Sequence, residues 1–288
     1  MTGILIVDKP AGWTSHDVVA KLRRILGEKR IGHAGTLDPM ATGVLPVFVG
    51  RATRAVEFME NADKEYLASL RLGLVTDTQD TSGAVLEERT VMCGRDDVAA
   101  ALGGFRGETE QLPPMYSAIK INGKKLYEYA RRGKEVERKP RKITISSLEL
   151  EGERDGDYIL RVTCSKGTYI RVLCADIGER LGCGGAMSAL TRTRVGAYRL
   201  EDAHALEDII NAGREGAESM MLGLESMFMA YPAAVADAEN ERRCRNGLAP
   251  RLNEAPEGLF RLRSESGEFL ALCRNDGGVS IVKSFYEV

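Results

Sequence analysis

Apolar and polar residues alternate along the chain from Tyr66 onward, and this period of two fits an extended strand with one buried face. A helix would instead repeat its apolar positions every three or four residues. The alternation places on one face Tyr66, Ala68, Leu70, Leu72 and Leu74, and on the other Glu65, Ser69 and Arg71. A strand with one buried face requires partner strands and a covering layer, so the chain must contain a sheet packed against other elements.

Further short apolar runs predict strands at residues 3–7, 45–49, 143–151, 158–165 and 189–200. A helix is predicted over residues 17–26, where Thr14 can cap the first turn and Gly27 ends the last. A second helix is predicted over residues 168–181. Strands follow one another more often than they alternate with helices. The pattern therefore predicts an α+β fold, with a mixed, largely antiparallel sheet flanked by helices.

The last part of the chain differs in character from the rest. From residue 230 to residue 288, glycine and proline repeatedly interrupt short apolar runs, as they do in small β-rich domains. We place a boundary near Tyr231 and Pro232, which divides the chain into a main domain, residues 1–229, and a small C-terminal domain, residues 230–288.

Positive charge is concentrated in residues 111–142, hereafter the basic segment. It contains ten Lys or Arg residues and three acidic residues, which gives a net charge of +7, whereas the net charge of the whole chain is −2. A net charge near zero excludes a protein that is basic throughout. One cationic element on an acidic body indicates a contact with a polyanion, although a solvated surface loop would have the same composition.

Cysteine and histidine usage argues against a metal site. The six cysteines form no Cys-x-x-Cys motif and none is closely spaced with one of the three histidines. Such cysteines are typical of reduced packing residues in a cytoplasmic protein. The apolar run at residues 3–7 is too short for a signal peptide, and no run approaches the ~18 apolar residues that span a bilayer. We therefore expect a cytoplasmic location and no membrane contact.

One glycine-rich stretch carries a candidate catalytic group. Residues 30–39 (RIGHAGTLDP) contain two glycines, His33 and Asp38. Gly32 and Gly35 allow a positive φ or a close approach to a ligand, and Pro39 restrains the residue before it to the extended region. A carboxylate held in this way can be a nucleophile, a base, a metal ligand or a turn former, and composition alone favours the turn former.

Five segments, in order, resemble the motifs of the TruB family, the bacterial tRNA uridine-55 pseudouridine synthases. They are residues 9–15 (KPAGWTS), 30–39 (RIGHAGTLDP), 64–66 (KEY), 165–171 (SKGTYIR) and 189–193 (ALTRT). One glycine-rich match would be weak, but five ordered matches across residues 1–200 are specific. The resemblance implies the pseudouridine synthase fold, with residues 230–288 in the position of a PUA-like RNA-binding domain.

The resemblance also implies a role for each site residue. Asp38 would be the nucleophile and Arg171 the ion-pair partner that favours and orients its carboxylate form. His33 would help displace the target base. Tyr66 would stack on the flipped uracil, Tyr169 would contact the base and assist proton transfer at C5, and Leu190 would pack against the base or ribose. Lys9 and Pro10 could shape the pocket floor or simply turn the chain.

The implied reaction explains why these residue types suffice. It breaks the N1–C1′ bond of a uridine, turns the base over and rejoins it through C5, with no redox change, so no metal or organic cofactor is expected. The resemblance leaves open whether Asp38 attacks C1′ or C6 or promotes a glycal route. By the same resemblance the basic segment is an insertion that closes over the tRNA T-arm. Its expected phosphate contacts are Lys124, Lys125, Arg131 and Arg132. A monomer without an obligate protein partner is the family default.

Two other functions fit parts of the pattern. A non-catalytic RNA-binding or tRNA-folding protein could use the same scaffold, although it would not need Asp38, Tyr66 and Arg171 together. A base-excising glycosylase would need an activated water and would release the free base, whereas pseudouridine formation retains it.

Overall fold

Two sheets organise the chain, a large one built from residues 3–205 and a small one built from residues 233–284. The computed structural model describes residues 1–121 and 123–286. The strands in these ranges are β1 (Gly3–Lys9), β2 (Ile31–His33), β3 (Thr42–Val49), β4 (Lys64–Leu72), β5 (Leu74–Thr76), β6 (Val85–Glu88), β7 (Gly107–Gln111), β8 (Lys120–Ile121), β9 (Lys124–Lys125), β10 (Arg141–Arg154), β11 (Asp157–Cys164), β12 (Gly185–Val195), β13 (Tyr198–Arg199), β14 (His204–Ala205), β15 (Ala233–Ala236), β16 (Gly258–Ser264), β17 (Phe269–Asn275) and β18 (Val279–Ser284).

The helices lie between these strands. The α-helices are α1 (Ser15–Leu26), α2 (Val56–Met59), α3 (Arg95–Leu102), α4 (Leu126–Ala130), α5 (Ile170–Arg180), α6 (Leu206–Ser219) and α7 (Ala238–Arg245). Short 3-10 helices occupy Gly50–Ala55, Gly103–Phe105, Leu200–Asp202 and Leu224–Phe228. Within residues 1–121 and 123–286, no helix has the length and apolar character needed to cross a membrane.

The large sheet runs in the order β14-β1-β3-β12-β4-β11-β10-β7, with β2 beside β3 and β13 beside β12. The pairs β1–β14 and β3–β12 are parallel, and the other pairs of this sheet are antiparallel. The predicted α+β class and the mixed, largely antiparallel sheet flanked by helices are therefore confirmed.

The alternation that starts at Tyr66 does form a half-buried strand. Along β4, Lys64, Tyr66, Ala68 and Leu70 are buried and the residues between them are partly exposed. Its antiparallel partners are β11 and β12, so β4 lies in the middle of the sheet. The predicted strand was too long at its C-terminal end, because Gly73 adopts a φ of 84° and Leu74 belongs to the next strand, β5.

The predicted helix at 17–26 is correct to within two residues. In α1 the Thr14 hydroxyl accepts from the Asp17 backbone N–H at 3.0 Å, and the Asp17 carboxylate accepts from the Thr14 N–H at 2.9 Å. This reciprocal capping box starts the helix at Ser15. Gly27 ends it in the left-handed conformation.

The remaining predicted elements exist, with corrections to their bounds. The strands predicted at 3–7, 45–49, 143–151 and 158–165 are β1, β3, β10 and β11, most of them longer than predicted. Helix α5 starts two residues after the predicted start, because Tyr169 is extended and caps it. The strand predicted at 189–200 was wrong at both ends. It begins at Gly185, and the chain turns at Gly196, whose φ is 56°, so that β13 folds back on β12.

The C-terminal residues form the small sheet in the order β15-β16-β17-β18, with a core of their own. Only the β15–β16 pair is parallel. Helix α7 was not predicted, because its sequence is strongly polar and buries only Asn240 and Cys244. An aromatic cluster joins this unit to the rest of the molecule. In this cluster the Phe228 ring lies 5.3 to 5.7 Å from the rings of Phe58, Phe269 and Phe285.

The position of the site follows from three hydrophobic cores. Residues of β4, β11 and β12 pack with α5, while α1 and α6 cover one face of β1 and β3. Alternate residues of β1 and β3 point to the opposite face, where the 3-10 helix Leu224–Phe228 and the small sheet pack. The segment between β2 and β3 crosses the junction of these cores, and it contains Asp38.

Candidate active site

The segment that carries Asp38 is held at several points. The Ser15 hydroxyl donates to the Leu37 carbonyl at 3.3 Å and accepts from the Leu37 N–H at 2.9 Å. The Pro39 carbonyl accepts from the Gly12 N–H at 2.8 Å, and the Asp38 carbonyl accepts from the Ala41 N–H at 3.0 Å. The buried Leu37 side chain anchors the segment in the core beneath β4. The carboxylate of Asp38 therefore projects from a fixed backbone.

Lys9 lies beneath this segment and is completely buried. Its ammonium donates to the carbonyls of Pro10 at 2.9 Å, Trp13 at 2.7 Å and Pro39 at 3.3 Å. Burial lowers the pKa of Lys9 to about 8, and the Asp38 carboxylate opposes that change. Lys9 thus connects the end of β1 to the Asp38 segment, and the sequence could not distinguish this position from a plain turn.

Arg171 brings the site together from the first turn of α5. Its Nε lies 3.1 Å from Asp38 Oδ2 and its Nη1 lies 3.5 Å from Asp80 Oδ2. It also donates to the carbonyls of Thr78 at 3.2 Å and Tyr116 at 2.8 Å. The side chain of Arg171 is 6% exposed and that of Asp38 is 39% exposed. The guanidinium is therefore fixed, and the carboxylate of Asp38 stays accessible on one side.

The pKa of Asp38 is raised above its usual range. Burial is the largest cause, the Arg171 guanidinium opposes it, Asp80 raises the pKa further and Lys9 lowers it. We expected Arg171 to favour the carboxylate form, and its effect on the pKa of Asp38 has that direction. Desolvation nevertheless outweighs the ion pair. A carboxylate with a raised pKa in an accessible position is characteristic of a reactive group.

Two tyrosines are influenced by the charge of Asp38, and a leucine packs in the same core as Leu37. Tyr66 on β4 and Leu190 on β12 are 9% and 7% exposed and pack in one core with Leu37. Tyr169 caps α5, and the Gln111 side chain holds its backbone through bonds of 2.7 Å to the N–H and 3.1 Å to the carbonyl. Burial raises the pKa of both phenols, and the Asp38 charge adds to that rise. Both phenols therefore remain neutral donors.

His33 lies on β2 at the start of the Asp38 segment, opposite Val47 of β3. Its pKa is lowered, first by burial and then by Arg192 and His16, so the imidazole is neutral at pH 7. Its buried Nδ1 has no hydrogen-bond partner among the residues that the structure describes.

Sequence reasoning missed two residues of this site, Asp80 and Arg192. The Asp80 side chain is 6% exposed and accepts from Thr78 Oγ1 at 2.9 Å and from the Ser82 N–H at 3.0 Å. A run of turn-forming polar residues at 77–83 marks this loop in the sequence, but nothing there indicates that one carboxylate is buried. Arg192 was visible only as part of the segment at 189–193, and it is 1% exposed.

About half of the described residues of the basic segment are exposed, and its beginning reaches the site through Tyr116. Lys124, Arg131 and Arg132 are exposed, and Lys125 is partly buried. Within the described ranges none of these four has a carboxylate within 4.0 Å. Lys125 and Arg131 each lie 5.3 Å from the Tyr127 ring centre. Their charges are therefore available to an external anion.

No metal cluster marks the site among the residues that the structure describes. Residues 1–121 and 123–286 contain no group of three or more His, Cys, Asp or Glu side chains that could hold a metal ion. A cavity of about 540 Å³ lies elsewhere, where Thr2, Arg51 and Leu224 meet Phe269 and Phe285. The Asp38 side chain is nevertheless reachable from solvent, since 39% of it is exposed.

Two family domains match consecutive parts of this chain. Residues 23–170 match the N-terminal domain of the TruB family pseudouridylate synthases, and residues 171–230 match the tRNA pseudouridylate synthase B C-terminal domain. The second match covers α5, β12, β13 and α6, which belong to the large sheet and its cover. The small sheet, at 233–284, follows both matches.

Curated relatives span nearly the whole chain. The tRNA pseudouridine synthase B of Clostridium kluyveri is 42% identical over 291 residues, covering 99% of this chain and all of that protein. The protein of the same name from Geobacillus kaustophilus is 45% identical over 261 residues, covering 88% of this chain and 92% of that protein.

Solved structures agree on the fold. A chain from the crystal structure of a Cbf5-Nop10-Gar1 complex superposes with a TM-score of 0.72 at 27% identity, covering 99% of this chain and 85% of that one. A chain from an H/ACA RNP bound to a substrate RNA containing 2′-deoxyuridine has a TM-score of 0.71 at 24% identity, with the same coverage. From the family matches and the full-length relatives, we conclude that the chain belongs to the TruB family of pseudouridylate synthases.

Proposed function

We propose that Asp38 is the nucleophile with which this TruB family enzyme converts uridine 55 in the T-loop of tRNA into pseudouridine. The observation that carries the proposal is the 3.1 Å ion pair between Asp38 and Arg171, near two tyrosines whose phenol pKa values the Asp38 charge raises. The raised pKa of Asp38 adds support, because a poorly solvated carboxylate is more reactive than one in water.

The reaction breaks the N1–C1′ bond, forms a C1′–C5 bond, loses the C5 proton to solvent and returns a proton to N1. An ionised Asp38 can hold the fragments by covalent attack, as a carboxylate does in retaining glycosidases. Attack at C1′ and a glycal route need this carboxylate beside the sugar, whereas addition at C6 needs it beside the base. Arg171 orients it and compensates its charge.

The neighbouring residues have roles that suit a flipped base. A base must leave its stack before an enzyme can reach C1′. His33, neutral and at the start of the Asp38 segment, would help displace it. Tyr66 would stack on the uracil, a contact worth ~1–3 kcal/mol. Tyr169 would contact the base and assist proton transfer at C5, and Leu190 would pack against the base or ribose.

The basic segment would bind the T-arm of the tRNA. We assign phosphate contacts to Lys124, Lys125, Arg131 and Arg132, whose charges have no acidic partner among the described residues. Residues 230–288 would form a PUA-like RNA-binding domain beside the catalytic domain, residues 1–229. We propose a cytoplasmic monomer that needs no protein partner.

Release of tritium from [5-³H]uridine-labelled tRNA tests the assignment. Asp38→Asn keeps the shape of the side chain and removes its nucleophilicity, so we expect the rate to fall roughly 10⁴-fold or more. The Kd for tRNA should stay within about threefold, since Asp38 is one side chain in a large contact. Asp96→Asn, at an exposed position on α3, is the matched control and should keep the full rate.

The outcomes separate the candidate functions. Full tritium release by Asp38→Asn would contradict the nucleophile assignment. Wild-type protein that binds tRNA and releases no tritium would indicate a non-catalytic RNA-binding or folding protein. Free uracil among the products would indicate a glycosylase.

A further inference from the structure

Arg192 is one of the largest fully buried side chains in the molecule, and it lies where three strands meet. On β12 it is paired with Gly43 of β3 on one side and Tyr66 of β4 on the other. Its Nε donates to the Val44 carbonyl at 2.8 Å, and its Nη2 donates to the Gly35 carbonyl at 3.0 Å. One guanidinium thus contacts the start of β3 and the segment that carries Asp38.

Arg192 and Tyr66 are directly opposite each other on β12 and β4, so the guanidinium and the phenol influence each other. Burial lowers the pKa of Arg192, and the contact with Tyr66 acts in the opposite direction. Reciprocally, Arg192 lowers the pKa of the Tyr66 phenol, against the larger effect of burial. Arg192 therefore connects the tyrosine proposed to stack on the base with the backbone that leads to the proposed nucleophile.

Arg192 satisfies two backbone carbonyls, but no ion pair accounts for its charge. No carboxylate lies within 4.0 Å of Arg192 in the described part of the chain, although a buried cation normally has an anionic partner. An apolar side chain of similar length would fill the same space without the cost of desolvating a charge. The planar fork of donors, and not the volume of the side chain, is therefore what the site uses.

Two glycines leave room for this arrangement. Gly43 has a φ of 99°, and a Cβ there would lie 2.2 Å from the Arg192 carbonyl oxygen. Gly35 has a φ of 81°, and a Cβ there would lie 3.2 Å from Arg192 Nη1. Gly35 thus faces the Arg192 side chain and Gly43 faces its backbone, and the two glycines lie on either side of Asp38.

We propose that Arg192 is a positioning residue that keeps Tyr66 and the Asp38 segment in fixed relation while the base is turned over. It contacts neither the nucleophile nor Arg171 and acts through Gly35 and Tyr66. The inference rests on the proposed function, because it concerns the geometry of the same reaction. It adds Arg192 as a requirement for the reaction, beyond the ion pair between Asp38 and Arg171.

Single-turnover tritium release, measured beside the Kd for tRNA, provides the test. Arg192→Met keeps the length and removes the donors, and we expect a rate roughly 100-fold lower, the cost of a displacement of about 1 Å at a reacting centre. The Kd should stay within about threefold, because Arg192 is buried and cannot reach a phosphate. Arg192→Lys, which keeps the charge but not the fork, should be about tenfold slower than wild type.

Arg194→Met is the matched control. Arg194 lies two residues further along β12 and donates to the Gly196 carbonyl at 3.1 Å, with no bond to Gly35 or Tyr66. Its rate should equal that of wild type. A folded Arg192→Met protein with the wild-type rate would overturn the inference. If that variant does not fold, Arg192→Lys decides, since a wild-type rate in it would have the same meaning.

A double-mutant cycle separates positioning from general destabilisation. With Tyr66→Phe the phenol oxygen is gone, so Arg192→Lys should cost only about threefold in that background, compared with tenfold in wild type. Equal costs in both backgrounds would show that Arg192 does not act through Tyr66 and would overturn the inference. A wild-type protein without tritium release would instead refute the proposed function, so the two failures are distinguishable.

Discussion

The proposed active site around Asp38 and the proposed RNA contact of the basic segment hold their charged side chains in different ways. Around Asp38 the charged side chains are fixed, as Lys9 donates to three carbonyls and Arg171 to two carbonyls beside its ion pairs. In the basic segment Lys124, Arg131 and Arg132 are exposed. Chemistry at one bond requires positions fixed to fractions of an ångström, whereas phosphate neutralisation requires mainly charge and reach.

The two regions are joined at one end of the segment. Tyr116 accepts from Arg171 through its carbonyl, and Gln111 holds the backbone of Tyr169. The buried start of the segment is therefore part of the site, and only the portion from Lys120 onward is mainly surface. Substitutions on the two sides of this division should affect different measurements.

The largest effect should follow from removing Arg171. Arg171→Met removes the ion pair with Asp38 and the anchors to Thr78 and Tyr116, and we expect the single-turnover rate to fall roughly 10³-fold. The change also raises the pKa of Asp38, because the guanidinium lowers it in the wild type. Tritium release across a pH series measures both effects.

Arg180→Met, at the exposed end of the same helix, controls for the loss of one arginine from α5. It should keep the wild-type rate. An Arg171→Met protein with the full rate but weakened tRNA binding would show that Arg171 contributes to binding and not to catalysis. The Asp38 site and the basic segment would then not differ in function as proposed.

A smaller loss is expected for Asp80, the second carboxylate beside Arg171. Asp80→Asn keeps the acceptor for Thr78 and Ser82 and removes the charge, and we expect a rate roughly 100-fold lower as Arg171 loses one of its partners. As the proposed nucleophile Asp38 must be ionised, so we expect the rate to fall as the pH drops through the pKa of that group. Asp80 raises this pKa, so its neutralisation should move the acidic limb of the profile to lower pH.

The direction in which the acidic limb moves tests whether Asp38 is the titrating group. Arg171→Met and Asp80→Asn should move the acidic limb in opposite directions, because the two groups act on Asp38 with opposite sign. Movement in the same direction would mean that Asp38 is not the group that titrates.

The sequence predicted the parts of the molecule that depend on local pattern. The alternation from Tyr66 gave β4, the capping residues gave α1, and the match to family motifs gave Asp38 and Arg171. It did not give Asp80 or Arg192, whose importance comes from partners that only the folded sheet brings together. It also missed the turn at Gly196, since apolar residues continue across it, and α7, whose polar sequence buries little.

Neutralising the exposed cations should change binding and leave the chemistry intact. Replacing four of them by Gln should raise the tRNA Kd about tenfold at 0.15 M salt, and the slope of log Kd against log salt should fall by roughly 1 per lost phosphate contact. The four are Lys124, Lys125, Arg131 and Arg132. The single-turnover rate at saturating protein should remain that of wild type.

The matched control removes four exposed charges on the α1 and α6 side of the sheet. They are Arg24, Lys29, Arg30 and Arg214. Binding by this variant should keep most of the wild-type salt slope. An unchanged slope after the substitutions in the basic segment would show that the segment does not touch phosphate.

The smallest effect should come from Tyr127, the ring that organises two of those cations. Lys125 and Arg131 each lie 5.3 Å from its centre, and an exposed cation–π contact is worth about 0.5–1 kcal/mol. Tyr127→Leu should therefore change the tRNA Kd by about threefold or less, because both charges remain and only their arrangement is lost. Filter binding at two salt concentrations can resolve this. A tenfold loss with an unchanged salt slope would mean that the basic segment, like the Asp38 site, depends on fixed geometry and not only on charge.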